Sequence, residues 1–311
     1  MYRNSQTFDR PVAAIAVPAD PAVLKAGASW ITRLAAPAIS LLVLAVAISQ
    51  LARFDLTSLR AAVPRNPAFW LLFAVSYAVP PLADWIIFRR LWQLPAAGFL
   101  ALVRKLIGNE LLLGYVGELY FYSWARKRTA MTGAPFGAIK DVAILSAVVG
   151  NCVTLAMLAL AYPLLGMLHL GVERGTFVLS VAVVLGTSLV AMLFRRRLFS
   201  LPRADLRFVI VVHLARIVAT TVLAAWMWHL ALPAVAAGMW LLLATLRLLL
   251  SRLPFIPNKD LVFAGLAVLV VGQNLPVVEL MALMAGLILG THLVLGALLT
   301  AAELPGWKQL A

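Results

Sequence analysis

The sequence predicts an all-α polytopic membrane helix bundle, and three observations carry that prediction. Hydrophobic residues make up 63% of the 311 positions and charged residues only 12%. No soluble globule has that balance, because its surface could not be hydrated. Apolar runs of near-membrane length recur along the chain, giving about eight crossings at roughly 20 residues each. Two stretches, near 97–118 and 251–260, break the pattern with charges, glycines or prolines and read as re-entrant or broken segments.

The chain divides into a flexible cytoplasmic tail (1–33), a single membrane domain (34–300) and a short cytoplasmic tail (301–311). Asp9 and Asp20 interrupt the first tail and no short apolar core follows a basic start, so it is not a secretory signal. Residues 34–52 form the first crossing, bounded by Arg33 and Arg53. Residues 66–88 form the second, with Trp70 and Trp85 as interface anchors, Asp84 one turn before Arg89-Arg90, and a kink expected at Pro80-Pro81.

Residues 91–118 hold no charge-free run longer than 13 and do not qualify as a crossing. Crossings follow at about 142–165, 176–194, 208–230 and 233–250, the last two joined by a tight turn at Leu232-Pro233. Residues 261–275 and 277–300 complete the set. The last carries Gly286 and Gly290 at a spacing that lets helices approach closely.

Loop charges orient the chain. The formal net charge of +14 sits in clusters such as Arg126-Lys127-Arg128 and Arg195-Arg196-Arg197, which reads as cytoplasmic loops and attraction to anionic lipid rather than nucleic-acid binding. Arg89-Arg90, 126–128 and 195–207 should then share the cytoplasmic side. Residues 91–118 must therefore enter and return, and both termini are cytoplasmic. Loop 53–65, with Arg53, Arg60 and Arg65, is the exception to the charge rule.

The stretch LIGNELLLGYVGELYFYSWARKR (106–128) places Glu110 and Glu118 in apolar surroundings punctuated by Gly108, Gly114 and Gly117. A carboxylate in hydrocarbon costs on the order of 3 kcal/mol on insertion scales, so acids there mark function or a partner. Glu118 is expected to bind a headgroup or a proton, or to pair with Arg126 or Lys127. Glu110 is expected to pair along its helix with Arg104 or Lys105. Arg216, inside an apolar run, is expected to hold a lipid phosphate or to neutralise Glu118 or Asp260.

In SRLPFIPNKD (251–260), Pro254 and Pro257 restrict the backbone, and Asn258 or Asp260 can cap the following helix. Lys259 and Asp260 read as headgroup contacts or caps. Paired interrupted segments in two halves of a transporter point to a midplane binding site.

LLLGYVGELYFYSWARKR resembles the glycine-glutamate motif of the lysylphosphatidylglycerol synthase transmembrane-region family of flippase-like membrane proteins. Gly117-Glu118 and Arg126 stand in the motif's places, and Pro254 and Pro257 match a later Leu-Pro element in which Asn258-Lys259-Asp260 replaces glycines. The resemblance implies a lipid-handling protein of the bacterial inner membrane. Relatives with aminoacyl-transferase activity carry a soluble domain after the membrane part; this chain ends eleven residues after Thr300, so lysyl transfer is not expected.

The site residues are thus Gly117, Glu118, Arg126, Arg216, Lys259 and Asp260, acting on anionic membrane lipids without a cofactor. Cys152 stands alone, the four histidines show no ligand spacing, and phosphate-loop, dinucleotide and hydrolase motifs are absent. Two other readings are a membrane-embedded transferase on a lipid carrier, with Glu118 or Asp260 as general base, and a non-catalytic partner of an envelope-lipid enzyme.

Overall fold

The computed structural model describes residues 63–111, 116–128, 135–167, 173–194, 199–252, 259–271 and 275–302. The first tail, the crossing expected at 34–52, Gly114, Arg195-Arg196-Arg197, Pro254, Pro257 and Asn258 lie outside these residues, as do 303–311 of the second tail. Among the described residues every element is helical: α1 (Pro67–Trp92), α2 (Gly98–Leu111), α3 (Val116–Arg126), α4 (Pro135–Ala161, continued by a 3-10 turn, Tyr162–Met167), α5 (Arg174–Phe194), α6 (Arg203–Ala231), α7 (Ala237–Ser251), α8 (Lys259–Val271) and α9 (Leu275–Ala301).

Four of these segments, Pro67–Trp92, Gly137–Gly166, Arg203–Ala231 and Pro276–Ala301, are long and apolar enough to cross a membrane. At 1.5 Å per residue, the 26 residues of α1 extend about 39 Å, more than the roughly 30 Å hydrocarbon core. Their side chains are distributed inside out for a water-soluble protein. Leu71, Val211 and Val294 face outward, while Asp84, Asp141, Asn151, Thr154, His213 and His292 are buried. That arrangement suits a hydrocarbon surround, where apolar groups gain little by hiding and polar groups need partners inside. Hydroxyls satisfy themselves on their own helices, as Thr154 does on the Gly150 carbonyl (2.8 Å) and Thr291 on that of Leu287 (2.7 Å).

Helix boundaries follow local chemistry. Asn66 caps α1, its side chain accepting from the Ala68 amide at 2.9 Å with Pro67 at the first position. The helix closes on Gln93 in the left-handed conformation (φ 52°), beyond Arg89 and Arg90 in its last turn. It runs unbroken through Pro80-Pro81. The turn expected at Leu232-Pro233 separates α6 from α7. Asp141, fully buried, accepts from the Ser200 amide (2.6 Å), the Ser200 hydroxyl (2.9 Å) and the Leu201 amide (2.8 Å), tying α4 to the entry of α6.

The most extensive packing is between α1 and α6, which run antiparallel: Arg90 pairs with Asp205 at 3.0 Å, while Phe69 packs in the cluster that holds Ala224, Met227 and Trp228. A second apolar cluster joins Phe88 and Trp92 of α1, Phe121 and Ala125 of α3, Ile139 of α4 and Val209 of α6. Arg89-Arg90, Arg126-Lys127-Arg128 and the segment before α6 therefore gather at one end of the bundle. The parity argument required that grouping.

Between Arg90 and Arg126 the chain makes a helical hairpin. Its 14- and 11-residue helices, about 21 and 16 Å long, each reach less far than the roughly 30 Å hydrocarbon core and carry Arg104, Lys105, Glu110 and Glu118. Their contacts run in reverse order, Asn109 with Gly117, Lys105 with Glu118 and Arg104 with Tyr120, so the helices are antiparallel. The chain reverses direction between them.

Glycine makes this hairpin tight. A Cβ on Gly117 would collide with the Lys105 carbonyl, and one on Gly108, opposite, would lie 3.5 Å from the Gly117 Cα. These glycines serve close approach rather than loosening a helix. The close approach expected at Gly286 and Gly290 does not occur among the described residues: nothing lies within 4 Å of a Cβ built at either position.

Candidate functional site

Two adjoining cavities occupy the middle of the bundle. The first, of about 290 Å³, is bounded by Tyr77 and Pro80 at mid-length of α1, Glu110 at the end of α2, Arg216 and Ile217 at mid-length of α6, Arg247 to Arg252 at the end of α7, Lys259 and Asp260 opening α8, and His292 of α9. Its far wall is apolar, with Phe73, Met227, Trp228, Phe263 and Met281. The second, of about 280 Å³, continues past Asp84, Lys105, Asn109, Glu118, His213 and Ser146. Pro80, Leu106, Glu110, Arg216, Ser251 and Arg252 line both.

The hairpin and the second interrupted element, far apart in sequence, therefore face one space at mid-bundle. Both are placed by helix ends. The tip of α2 delivers Glu110, and the start of α8 delivers Lys259 and Asp260.

Most charges here are matched. Lys105 Nζ lies 2.7 Å from Asp84 Oδ2 and 3.5 Å from Glu118 Oε1. Asn109 donates to Glu118 Oε1 (3.1 Å) and accepts from the Gly117 amide (2.8 Å). Arg216 donates to the Ser146 hydroxyl at 2.8 Å and stands 3.9 Å from Asp84. Arg247 grips Asp260 Oδ1 through Nε and Nη2, both at 2.7 Å. Lys259 Nζ donates to the Ser251 carbonyl at 3.0 Å, capping the C-terminus of α7. Tyr77 and His292 share a hydrogen bond of 2.7 Å across the first cavity.

Several expected pairings are corrected. Glu118 is held from α2, by Lys105 and Asn109, because the antiparallel hairpin sets those side chains beside it while Arg126 is eight residues away along its own helix. Arg216 is matched to Asp84, not to Glu118 or Asp260, because α1 is its packing partner. Arg104 donates to the Tyr120 hydroxyl and to the Leu299 carbonyl of α9, so it is not a partner for Glu110. Glu110 instead shares the field of Asp260, Lys259 and Arg247 across the cavity.

Of the six residues singled out in the sequence, Glu118, Arg216, Lys259 and Asp260 line the cavities. Gly117 is the buried contact point of the hairpin. Arg126 lies at the exposed end of α3, next to the Tyr122 hydroxyl (3.4 Å), and lines neither cavity. Sequence reasoning missed Asp84, Lys105, Arg247 and Arg252 as site residues. Arg247 and Asp260 lie thirteen positions apart on consecutive helices, a separation no periodicity rule reads.

The fold and the cavities define a helical bundle with four helices long enough to span a membrane and a charged chamber at mid-depth. No protein-family model, curated protein or solved structure matches this chain.

Proposed function

We propose that this protein is a multi-pass membrane protein that binds and translocates a phospholipid or lipid-linked substrate. In this reading the apolar runs make about eight crossings, with α7 and α8 as the short ones, and both termini are cytoplasmic. It sits in a bacterial inner membrane, and the basic end of the bundle faces the cytoplasm. The headgroup enters from that end, between the hairpin and the start of α8. The acyl chains stay against apolar walls or in the bilayer.

One observation carries the reading: two interrupted elements from opposite halves of the chain line the same mid-bundle cavity, charged on one side and apolar on the other. The likeness of the Gly117-Glu118 stretch to flippase-like membrane proteins points the same way. A transferase reading is weaker, because Asp260 is clasped by Arg247 and Glu118 by Lys105 and Asn109, which leaves neither poised as a general base.

Purified protein in liposomes should move a fluorescent phospholipid between leaflets faster than empty liposomes do, and Glu118→Gln should slow it. Rates equal to those of empty liposomes, across anionic and neutral lipids, would overturn the proposal.

A further inference from the structure

Arg252 differs from every other cation lining the two cavities. Lys105, Arg216 and Arg247 each have a carboxylate partner, and Lys259 is spent on a helix terminus. Arg252 donates through Nε (3.0 Å) and Nη2 (2.7 Å) to the neutral hydroxyl of its neighbour Ser251 and makes no ion pair among the described residues. Its guanidinium carries five N–H donors, so most of its capacity is unspent. It lines both cavities where they adjoin.

The guanidinium packs on bare backbone. It lies against Gly150 of α4 so closely that a Cβ there would collide with Nη1. Bare backbone leaves room for the fork at this point, and the Gly150 carbonyl accepts from the Thr154 hydroxyl. A cation without a matching anion in apolar surroundings is costly, so its retention points to a ligand that supplies the charge.

Resting on the lipid-handling reading, we propose that Arg252 is the seat for the phosphate group of a lipid headgroup, with Glu110 as the carboxylate that opposes it. A guanidinium fork matches a phosphate with two parallel hydrogen bonds, which a lysine cannot do. The adjoining apolar wall of Phe73, Met227 and Trp228 takes the glycerol and first methylenes. Glu110 lines both cavities and makes no ion pair among the described residues. When ionised, this carboxyl group disfavours an incoming anion and favours release.

The experiment is calorimetric titration of the purified, delipidated protein in neutral detergent with dihexanoylphosphatidic acid, dihexanoylphosphatidylcholine and inorganic phosphate. Phosphatidic acid should bind best. Arg252→Gln and Gly150→Ala should each weaken it at least tenfold, Arg252→Lys should fall between, and Glu110→Gln should tighten it several-fold. Gel filtration and thermal melting of each variant separate lost binding from lost fold, and the opposite sign expected for Glu110→Gln cannot come from misfolding. Phosphatidic acid binding that is equal within twofold in wild type and Arg252→Gln overturns the seat and leaves the lipid reading standing. Inorganic phosphate binding that depends on Arg252, with no preference for the lipid, keeps the seat and removes the lipid reading. Absence of binding by all three probes overturns the seat.

Discussion

Lys105 reaches from the hairpin to Asp84 on α1, its Nζ 2.7 Å from Oδ2, with only 12% and 11% of the two side chains exposed. The same ammonium touches Glu118, so one cation fastens both helices of the hairpin to the bundle. Lys105→Met should therefore be severe. Removing one member of a buried pair costs about 3–5 kcal/mol, because the partner stays buried and unmatched. Adding Asp84→Asn should restore part of the loss. Arg90→Ala, which breaks the more exposed pair with Asp205, should cost under about 1 kcal/mol. Thermal melting in detergent compares all three.

Gly117 and Gly108 face each other in the hairpin, yet the structure ranks them differently. A methyl group at 117 meets the Lys105 carbonyl, which cannot retreat without bending α2, whereas one at 108 sits at ordinary contact distance. Gly117→Ala should destabilise by about 1–3 kcal/mol through overpacking. Gly108→Ala should be close to neutral in the same melts.

Asp141 collects three hydrogen bonds at the entry to α6. Asp141→Ala strands two backbone amides and a hydroxyl, and losing hydrogen bonds to a charged group costs about 1.5–3 kcal/mol each before relaxation. A large fall in melting temperature, with Asp141→Asn intermediate, is the expected outcome.

Arg126 and Arg216 separate the sequence-level site from the structural one. Arg126→Gln lies outside both cavities and should leave lipid movement in liposomes within twofold of wild type. Arg216→Gln, at the junction of the cavities, should slow it at least fivefold. A reversal of this order would return the site to the exposed end of α3.

Much of the architecture was legible because apolar runs and basic loops obey rules that need no partner information. The turn at Leu232-Pro233, the failure of 91–118 to qualify as a crossing and the grouping of the basic segments all follow from length and charge alone. Partner choice did not follow. The pairing considered for Glu118 was with Arg126 or Lys127, but its partner Lys105 comes from the antiparallel helix of the hairpin, since a hairpin brings residues together at spacings no helical period gives. Arg252 gave no signal at all. Its significance depends on Gly150, a hundred residues earlier, and on which neighbouring cations are already paired. Gly286 and Gly290 matched a packing pattern that the described helices do not use, because spacing permits an approach without supplying the second helix.

The claim that the two interrupted elements form one substrate chamber is tested most directly by photolabelling. Wild-type protein reconstituted with a phosphatidic acid carrying a photoreactive group beside the phosphate should be irradiated, digested and mapped by mass spectrometry. The account predicts adducts on Leu106–Glu110 and Lys259–Phe263, lost on competition with unlabelled phosphatidic acid. Adducts confined to outward-facing residues such as Leu71, Leu119 and Leu269, with none on the chamber walls, would contradict it.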